Sequence, residues 1–247
     1  MTQAIGVDIG GTGIKGGVVN LTHGTLDSER VRIPTPEGAH PADVLDTVRQ
    51  VLDQLGVADS NLPLGVAFPA IVKHGRTLSA ANISKDWVGF DAEHFFEQGL
   101  GRDITFVNDA DAAGVAEARH GAARDARGLT IMTTLGTGIG SAFLYDGVLI
   151  PNSELGHLQR EGQSIEKWTA YSAMERENLS WEAWSARLQE FYTLVESLFS
   201  PDLFVVGGGV SKHPEKFLPL LELRTPIVAA VHRNNSGIIG AASLAAD

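Results

Sequence analysis

The stretch that decides the fold runs from Asp8 to Lys15 and reads DIGGTGIK. Apolar runs flank it on both sides, so we predict a β-hairpin with a glycine turn between its strands. Glycine has no Cβ, which lets backbone N–H groups approach a phosphate, and the candidate contacts are Gly10, Gly11, Thr12, Gly13 and Lys15. Asp8 ends the first strand and is a candidate Mg²⁺ ligand acting through water. Hairpin geometry alone is the other explanation of these glycines.

The pattern recurs half a chain further on, in TTLGTGIG at residues 133–140. The four letters GTGI are repeated, and apolar runs again flank the glycines, which indicates a duplicated αβ unit. We therefore predict two α/β domains, residues 1–120 and 121–247, facing each other across a cleft where ligands bind. The candidate contacts to a second phosphate are Thr134, Gly136, Thr137 and Gly138.

A third glycine cluster follows a short apolar strand, in VVGGGVSK at residues 205–212. A tight turn after a strand accounts for one or two of Gly207, Gly208 and Gly209. The remaining glycine indicates that an adenine or ribose lies against the backbone. We predict a nucleotide contact at this cluster.

Asn108 and Asp109 end another apolar strand and precede an alanine-rich helix. A carboxylate at a strand end facing a cleft is a candidate general base. Asp and Asn are also favoured as helix N-caps, so Asp109 has a purely structural explanation. Asp111 could cap the helix instead, which would leave Asp109 for chemistry.

Glu154 and His157 flank a glycine at i and i+3, and Glu166 follows shortly after. Side chains spaced in this way can form paired hydrogen bonds to the vicinal hydroxyls of a sugar. An exposed loop with scattered charges is the alternative. A metal site is disfavoured, because a lone His with carboxylates has no recognisable ligand spacing.

The composition excludes several classes of protein. The 247 residues carry a formal net charge of −11, which disfavours general binding to nucleic acid or anionic membranes. There is no Cys, so disulfides and thiolate metal sites are excluded and a reducing compartment fits. Neither a signal peptide nor a membrane-spanning run is apparent, and we expect a cytoplasmic protein.

Five elements along the chain resemble the ROK family of sugar kinases, within the hexokinase/actin-like superfamily. They are DIGGTGIK, VNDAD at residues 107–111, TTLGTGIG, NSELGH at residues 152–157, and VVGGGVSK at residues 205–212. The resemblance implies an α/β fold of two ribonuclease-H-like domains around a cleft, the actin/hexokinase-like ATPase architecture. It also implies that Asp109 is the catalytic base and that Glu154 and His157 bind the sugar.

The chain departs from the family pattern after His157. Residues 158–165 contain no Cys where ROK proteins carry a zinc loop, so zinc is not expected and the brace of this loop is open. Only seven residues precede Asp8, too few for the helix-turn-helix of ROK repressors. Within the family the chain is most similar to the bacterial polyphosphate glucokinases. That similarity implies polyphosphate as donor with ATP as a second donor, glucose or mannose as acceptor, and a homodimer.

The implied reaction is phosphoryl transfer to the 6-hydroxyl of a hexose held near Asn82, Asn108, Glu154, His157 and Glu166. Asp109 accepts the hydroxyl proton, while Mg²⁺ near Asp8 and the glycine amides neutralise phosphoryl charge. Two alternatives are an actin-like ATP-dependent assembly protein and a carboxylate kinase, which would need a cationic acceptor site. A polyanionic donor on so acidic a chain requires a local cationic track, and its candidates are Lys15, Lys73, Arg76, Lys85, Lys212 and Lys216.

Overall fold

The computed structural model describes residues 1–80 and 83–247. Its contacts divide the chain into a first unit, Met1–Ala116 with Asn235–Asp247, and a second unit, Glu117–Asn234. In the described part of the chain, no helix is both long and apolar enough to cross a lipid bilayer.

This division differs from the sequence-based one at the end of the chain. The boundary expected after residue 120 falls close to the passage from Ala116 to Glu117. Residues 235–247 were expected in the second domain, but they pack in the first unit. The physical reason is a final helix that packs on the first sheet.

Groups of strands are separated by α-helices along the chain. The strands are β1 (Gln3–Gly10), β2 (Gly13–Asn20), β3 (Thr25–Leu26), β4 (Val31–Ile33), β5 (Leu64–Phe68), β6 (Val72–Lys73), β7 (Arg76–Thr77), β8 (Thr105–Asn108), β9 (Leu129–Leu135), β10 (Ile139–Tyr145), β11 (Val148–Ile150), β12 (Gln159–Arg160), β13 (Gln163–Ser164), β14 (Leu203–Gly207) and β15 (Ile227–Ala229). The helices are α1 (Pro41–Gln54), α2 (Ala92–Leu100), α3 (Asp109–His120), α4 (Glu166–Thr169), α5 (Tyr171–Glu177), α6 (Trp181–Phe199) and α7 (Ser236–Ala245).

The first unit contains a mixed sheet in the order β3-β2-β1-β5-β8, with β4 also paired to β2. β1 and β2 form the predicted antiparallel hairpin, and β1, β5 and β8 run parallel. One face of the sheet packs on α1 and α2, in a core that includes Phe68, Trp87, Phe96 and Phe106. The Trp87 indole N–H donates to the Ala39 carbonyl at 2.8 Å, which satisfies its buried polar atom.

Helix α7 packs on the first sheet at backbone distance, because glycines remove the side chains between them. A Cβ at Gly6 would collide with the Ile238 carbonyl, and a Cβ at Gly65 with the Ala241 carbonyl. On the helix itself, Gly240 makes the same close approach to the backbone of Ala112. A side chain at either strand position would therefore push α7 away from the sheet.

The second unit repeats the topology of the first. Its sheet has the order β11-β10-β9-β14-β15, with β9 and β10 antiparallel and β9, β14 and β15 parallel. The hairpin β9–β10 thus occupies the place that β1–β2 has in the first sheet, as the repeated GTGI predicts. An aromatic core from α6 and β14 lies against this sheet, and its largest members are Trp184, Phe191, Tyr192, Phe204 and Phe217.

Candidate active site

The first glycine turn is a tight hairpin closed by glycine on both strands. Gly10 pairs with Gly13, so Gly11 and Thr12 form the turn. Two residues before it, Asp8 lies directly across from Lys15, and the Lys15 ammonium contacts Asp8 Oδ2 at 2.9 Å. Both side chains are mostly buried, with 15% of Asp8 and 25% of Lys15 exposed. A carboxylate and an ammonium are therefore held together at the base of the turn.

Two side chains from the segment of residues 30–35, which contains β4, hold this turn, and neither was predicted from the sequence. The Arg32 guanidinium donates to the Thr12 carbonyl at 3.0 Å and lies against Gly13, where a Cβ would be 2.8 Å from its Nε. The Thr35 hydroxyl donates to the Gly10 carbonyl at 2.5 Å. The pairing of β4 with β2 places Arg32 directly across from Lys15, and no local sequence pattern predicts this pairing.

Helix α3 begins at Asp109, and Asn108 caps it. The Asn108 side-chain oxygen accepts from the backbone N–H groups of Ala110 at 2.9 Å and Asp111 at 3.0 Å. The interpretation that Asp111 caps this helix is therefore wrong, because Asn108 already occupies that role. Asn108 Nδ2 also donates to the Ala70 carbonyl at 2.9 Å, which leaves one amide hydrogen for a ligand.

The Asp109 carboxylate is half-buried at the first turn of α3. Its Oδ1 accepts from the Ala110 N–H at 2.8 Å. Because partial positive charge gathers at a helix N-terminus, the negative charge of a side chain at this position stabilises the helix. Asn82, the other residue predicted nearby, lies outside the described residues.

Asp109 and the first glycine turn lie at the same edge of the first sheet. Asp8 is in register with Ala67 of β5, and Ala67 with Val107 of β8. The carboxyl ends of these parallel strands therefore meet at one edge, which is where open α/β sheets bind ligands. Asp109 follows Val107 by two residues, so the candidate base and the candidate phosphate loop are two strands apart, about 10 Å.

Glu166 joins the second glycine turn to the predicted sugar segment. Its Oε2 accepts from the Ile139 N–H at 3.1 Å, just after the turn. Cβ atoms placed on Gly138 and Gly156 would be 2.5 Å and 3.0 Å from the same oxygen. The two glycines thus make room for one carboxylate between the GTGI turn and the Glu154–His157 segment.

Ser141 of β10 holds the Glu154–His157 segment in place. Its hydroxyl accepts from the Leu155 N–H at 3.0 Å and donates to the Ser153 carbonyl at 2.9 Å. Glu154 Oε2 and His157 Nδ1 are 3.9 Å apart. Burial raises the pKa of Glu154, the nearby His157 opposes that rise, and the negative charge of Glu166 adds to it. The predicted sugar-binding residues are thus grouped within the second unit.

The third glycine cluster lies beside the second glycine turn. β14 runs parallel to β9 with Gly207 in register with Thr134, so the ends of both strands meet. Gly208 has a φ of +81° and contacts the Leu135 backbone, where a Cβ would collide. Gly207 touches the end of Met132, whereas nothing lies within 4 Å of a Cβ at Gly209. Packing accounts for two of the glycines and does not account for Gly209.

Among the described residues, no three His, Asp or Glu side chains are grouped as a metal cage. Mg²⁺ needs no such cage, since one or two carboxylates together with water and substrate phosphates suffice. Asp8 offers one such carboxylate beside a glycine turn, with its Oδ2 paired to Lys15. The residues at this edge therefore fit Mg²⁺ in the mode that phosphate substrates require.

Comparison with known proteins places the chain in a family. The family model described as "ROK family" matches residues 4–168. The chain belongs to the ROK family. It is 43% identical over 241 residues to a polyphosphate glucokinase of Mycobacterium tuberculosis, covering 97% of this chain and 90% of that protein.

Solved structures agree with this placement. The inorganic polyphosphate/ATP-glucomannokinase of an Arthrobacter species matches with a TM-score of 0.94 and 50% identity, covering 100% of this chain and 99% of that one. A ROK family glucokinase from Streptomyces griseus matches with a TM-score of 0.82 at 24% identity, over 98% of both chains. The expected fold is confirmed: this ROK protein has the α/β architecture of actin/hexokinase-like ATPases.

In this ROK protein an aromatic ring and two arginines brace the segment after His157. The Arg160 guanidinium of the β12–β13 hairpin lies 3.8 Å from the centre of the Trp168 ring, and that of Arg187 lies 5.1 Å from it. Arg187 also donates to the Trp168 carbonyl at 2.8 Å and to Glu177 at 2.5 Å. Cation–π contacts and ion pairs therefore hold the hairpin. They brace the segment in which other ROK proteins carry a zinc loop.

Proposed function

We propose that this ROK protein is a hexose kinase that transfers a phosphoryl group from inorganic polyphosphate or ATP to the 6-hydroxyl of glucose. One observation carries the proposal: the Glu166 carboxylate bonds to the end of a glycine turn and lies against the segment that holds Glu154 and His157. An assembly ATPase needs the glycine turn but has no use for such a polar group. The similarity to polyphosphate glucokinases and to a polyphosphate/ATP-glucomannokinase supports the donor and the acceptor.

The acceptor contacts are hydrogen bonds to ring hydroxyls. Glu154 and Glu166 accept from them as carboxylates, and His157 can donate or accept according to its tautomer. Asn108 contributes its remaining amide hydrogen. Charge-assisted hydrogen bonds are about twice as strong as neutral ones, so the two carboxylates set most of the affinity for the sugar.

Asp109 is the general base in the proposed reaction. It accepts the proton of the 6-hydroxyl as that oxygen attacks phosphorus, and the bond from phosphorus to the leaving donor oxygen breaks. Positioning and electrostatics supply most of the catalysis of phosphoryl transfer, so a base held by a rigid helix start suits the task.

The donor phosphates bind the backbone amides of the glycine turns and the Lys15 ammonium. In the second unit the candidate contacts are Thr134, Gly136, Thr137 and Gly138, with Gly207, Gly208 and Gly209 for a nucleotide base or ribose. Asp8 would hold Mg²⁺ together with water, and the bound ion would neutralise charge on the donor phosphates.

Formation of hexose 6-phosphate tests the proposal. Glucose, mannose and galactose are each supplied with ATP and, separately, with polyphosphate, and the Asp109→Asn protein serves as the control. We expect product from glucose with at least one donor and a large loss in the control. Absence of hexose phosphate with every pair, together with ATP-dependent filaments in the same samples, would reverse the conclusion in favour of the assembly protein.

Three further expectations accompany this function. Activity requires Mg²⁺, and metal analysis of the purified protein should find no stoichiometric zinc; one tightly bound zinc per chain would contradict this. Sedimentation should give a homodimer, as the family resemblance implies. Cell fractionation should find the protein in the cytoplasm.

A further inference from the structure

A row of charged residues crosses the first sheet just before the glycine turn. Asp8 of β1 is in register with Lys15 of β2, and Lys15 with Arg32 of β4. Residues directly opposite each other in antiparallel strands share a face of the sheet. The row therefore places two cations and one carboxylate side by side, a net positive charge on a chain whose overall charge is −11.

The cation at the outer end of this row has no counter-charge. Asp8 is paired with Lys15, whereas Arg32 is exposed and forms no ion pair within the described part of the chain. Its guanidinium donates once, to the Thr12 carbonyl at 3.0 Å. A guanidinium has five N–H donors, so most of them remain for an anion beside the turn.

A second arginine continues the positive charge along the same segment. Arg30 lies two residues before Arg32, immediately before β4. Its Nη1 donates to the Asn235 side-chain oxygen at 3.0 Å, at the start of helix α7. The next residue but one in that helix, Gly237, packs against the Asp8 side chain. Arg30 thus lies on the face of the sheet that holds the Asp8 row.

Two other candidates for a cationic track are engaged with their own chain. The Lys85 ammonium donates to the Ala80 carbonyl at 2.6 Å. The Lys216 ammonium lies over the Trp181 ring at 5.2 Å. Arg32 also contacts its own chain, but it does so at the first turn itself, directly across from Lys15, and it is therefore better placed than these lysines to meet a donor there.

We propose that Arg32 and Arg30 form a binding track for inorganic polyphosphate that leads away from the first glycine turn. The inference rests on the proposed function and specifies where the donor lies. A polyphosphate chain repeats its negative charge and can contact both arginines in turn. A nucleoside triphosphate carries only three phosphates, so it contacts fewer of these cations. The track therefore selects for the long donor.

Kinetics across a salt series test the track, with KM measured for polyphosphate and for ATP at fixed free Mg²⁺. Each cation that contacts the polyanion adds on the order of one to the slope of log KM against log salt, because counterions are released on binding. We expect Arg30→Gln and Arg32→Gln each to lower the polyphosphate slope by about that amount, and to raise KM for polyphosphate more than KM for ATP.

Arg127→Gln is the matched control, since it removes one exposed arginine just before β9, far from the second turn at the other end of that strand. It should leave both slopes as in the wild type. Unchanged polyphosphate slopes in Arg30→Gln and Arg32→Gln, or equal changes for both donors, would overturn the track.

Binding of labelled polyphosphate, measured by fluorescence anisotropy without sugar, separates the track from the reaction. If the wild type forms no hexose phosphate but binds polyphosphate in a manner that Arg30→Gln and Arg32→Gln weaken, the track stands and the proposed function fails. If hexose phosphate forms while the variants bind polyphosphate like the wild type, the track fails and the function stands.

Discussion

Replacing Glu166 by Gln should weaken both the second glycine turn and the hexose site, because one carboxylate serves both. Its Oε2 accepts from the Ile139 N–H at 3.1 Å and fills the space left by Gly138 and Gly156. A hydrogen bond to a charged group is worth roughly 1.5–3 kcal/mol and a neutral one about 0.5–1.5. The Gln amide can keep the bond to Ile139, so the loss for each contact is about 1–1.5 kcal/mol.

Loss of one such contact lowers kcat/KM for hexose about five- to tenfold, and loss of a hydroxyl contact as well lowers it up to about a hundredfold. Glu166→Ala should do more, since it leaves the Ile139 N–H without its acceptor, at a cost of about 1–3 kcal/mol. The unfolding midpoint should therefore fall in Glu166→Ala and change little in Glu166→Gln.

Steady-state kinetics with both substrates varied, together with thermal unfolding, measure these effects. The matched control is Glu161→Gln in the β12–β13 hairpin, whose carboxylate is 79% exposed and 3.2 Å from Arg160. Exposed ion pairs of this kind contribute little, so its kinetics should stay close to the wild type. The reasoning is refuted if Glu166→Gln keeps the wild-type KM for hexose and for the donor.

Three other changes give separate expectations. Asp109→Asn should keep the fold and hexose binding but lower turnover on the order of 10² or more, as loss of a positioned base does; near wild-type turnover would remove Asp109 from the mechanism. Burial raises the pKa of Glu154, so KM for hexose should rise as the pH falls through that raised pKa and the carboxylate is protonated, and Glu154→Gln should not show this rise. Ionisation of this buried carboxyl also destabilises the fold, so the stability of the wild type should fall as the pH rises through the raised pKa. Glu154→Gln should therefore be more stable than the wild type on the alkaline side, and the absence of this gain would contradict the burial. Glu117→Gln should lower the unfolding midpoint, since this buried carboxylate accepts from Ala122 at 2.8 Å, Val231 at 3.0 Å and His232 at 2.9 Å, and an unchanged midpoint would contradict its role.

The sequence predicts the parts of the fold whose signals are local. The sequence predicts a strand over residues 129–135, which is β9, and a helix over Trp181 to Leu198, which is α6 and ends one residue later. The strand is rich in β-branched and apolar residues and is followed by glycine, and the helix carries apolar and aromatic residues at helical spacing. The hairpins around the two glycine turns follow from the same rule.

The elements that the sequence does not predict depend on distant partners or on single backbone angles. The sequence predicts a single helical stretch over Ile165 to Glu177, but the structure has two helices there, because Ala170 is not helical, with a ψ of 158°. The sequence does not predict helix α2, although Gly101 ends it with a left-handed φ of +67°. Local patterns carry no information on which distant element a helix will pack against.

The candidate site divides in the same way. Short motifs make Asp8, Asp109 and Glu154 candidates, because the residue types and their spacing indicate the chemistry. They do not identify Arg32, because it reaches the first turn through the pairing of β4 with β2, and β3 separates these two strands in sequence. They also do not show that Asn108 caps a helix, since a candidate ligand and a cap have the same side chain.

The return of helix α7 to the first sheet has a consequence for how the protein is made. The second unit is one continuous segment, Glu117–Asn234, so a ribosome synthesises all of it before it reaches α7. The first unit therefore lacks α7 while the second unit is being made. During that time the backbone surface at Gly6 and Gly65 stays uncovered. The first unit can complete its fold only after the second unit has been synthesised, and nascent chains stalled before residue 236 should expose its sheet to chaperones.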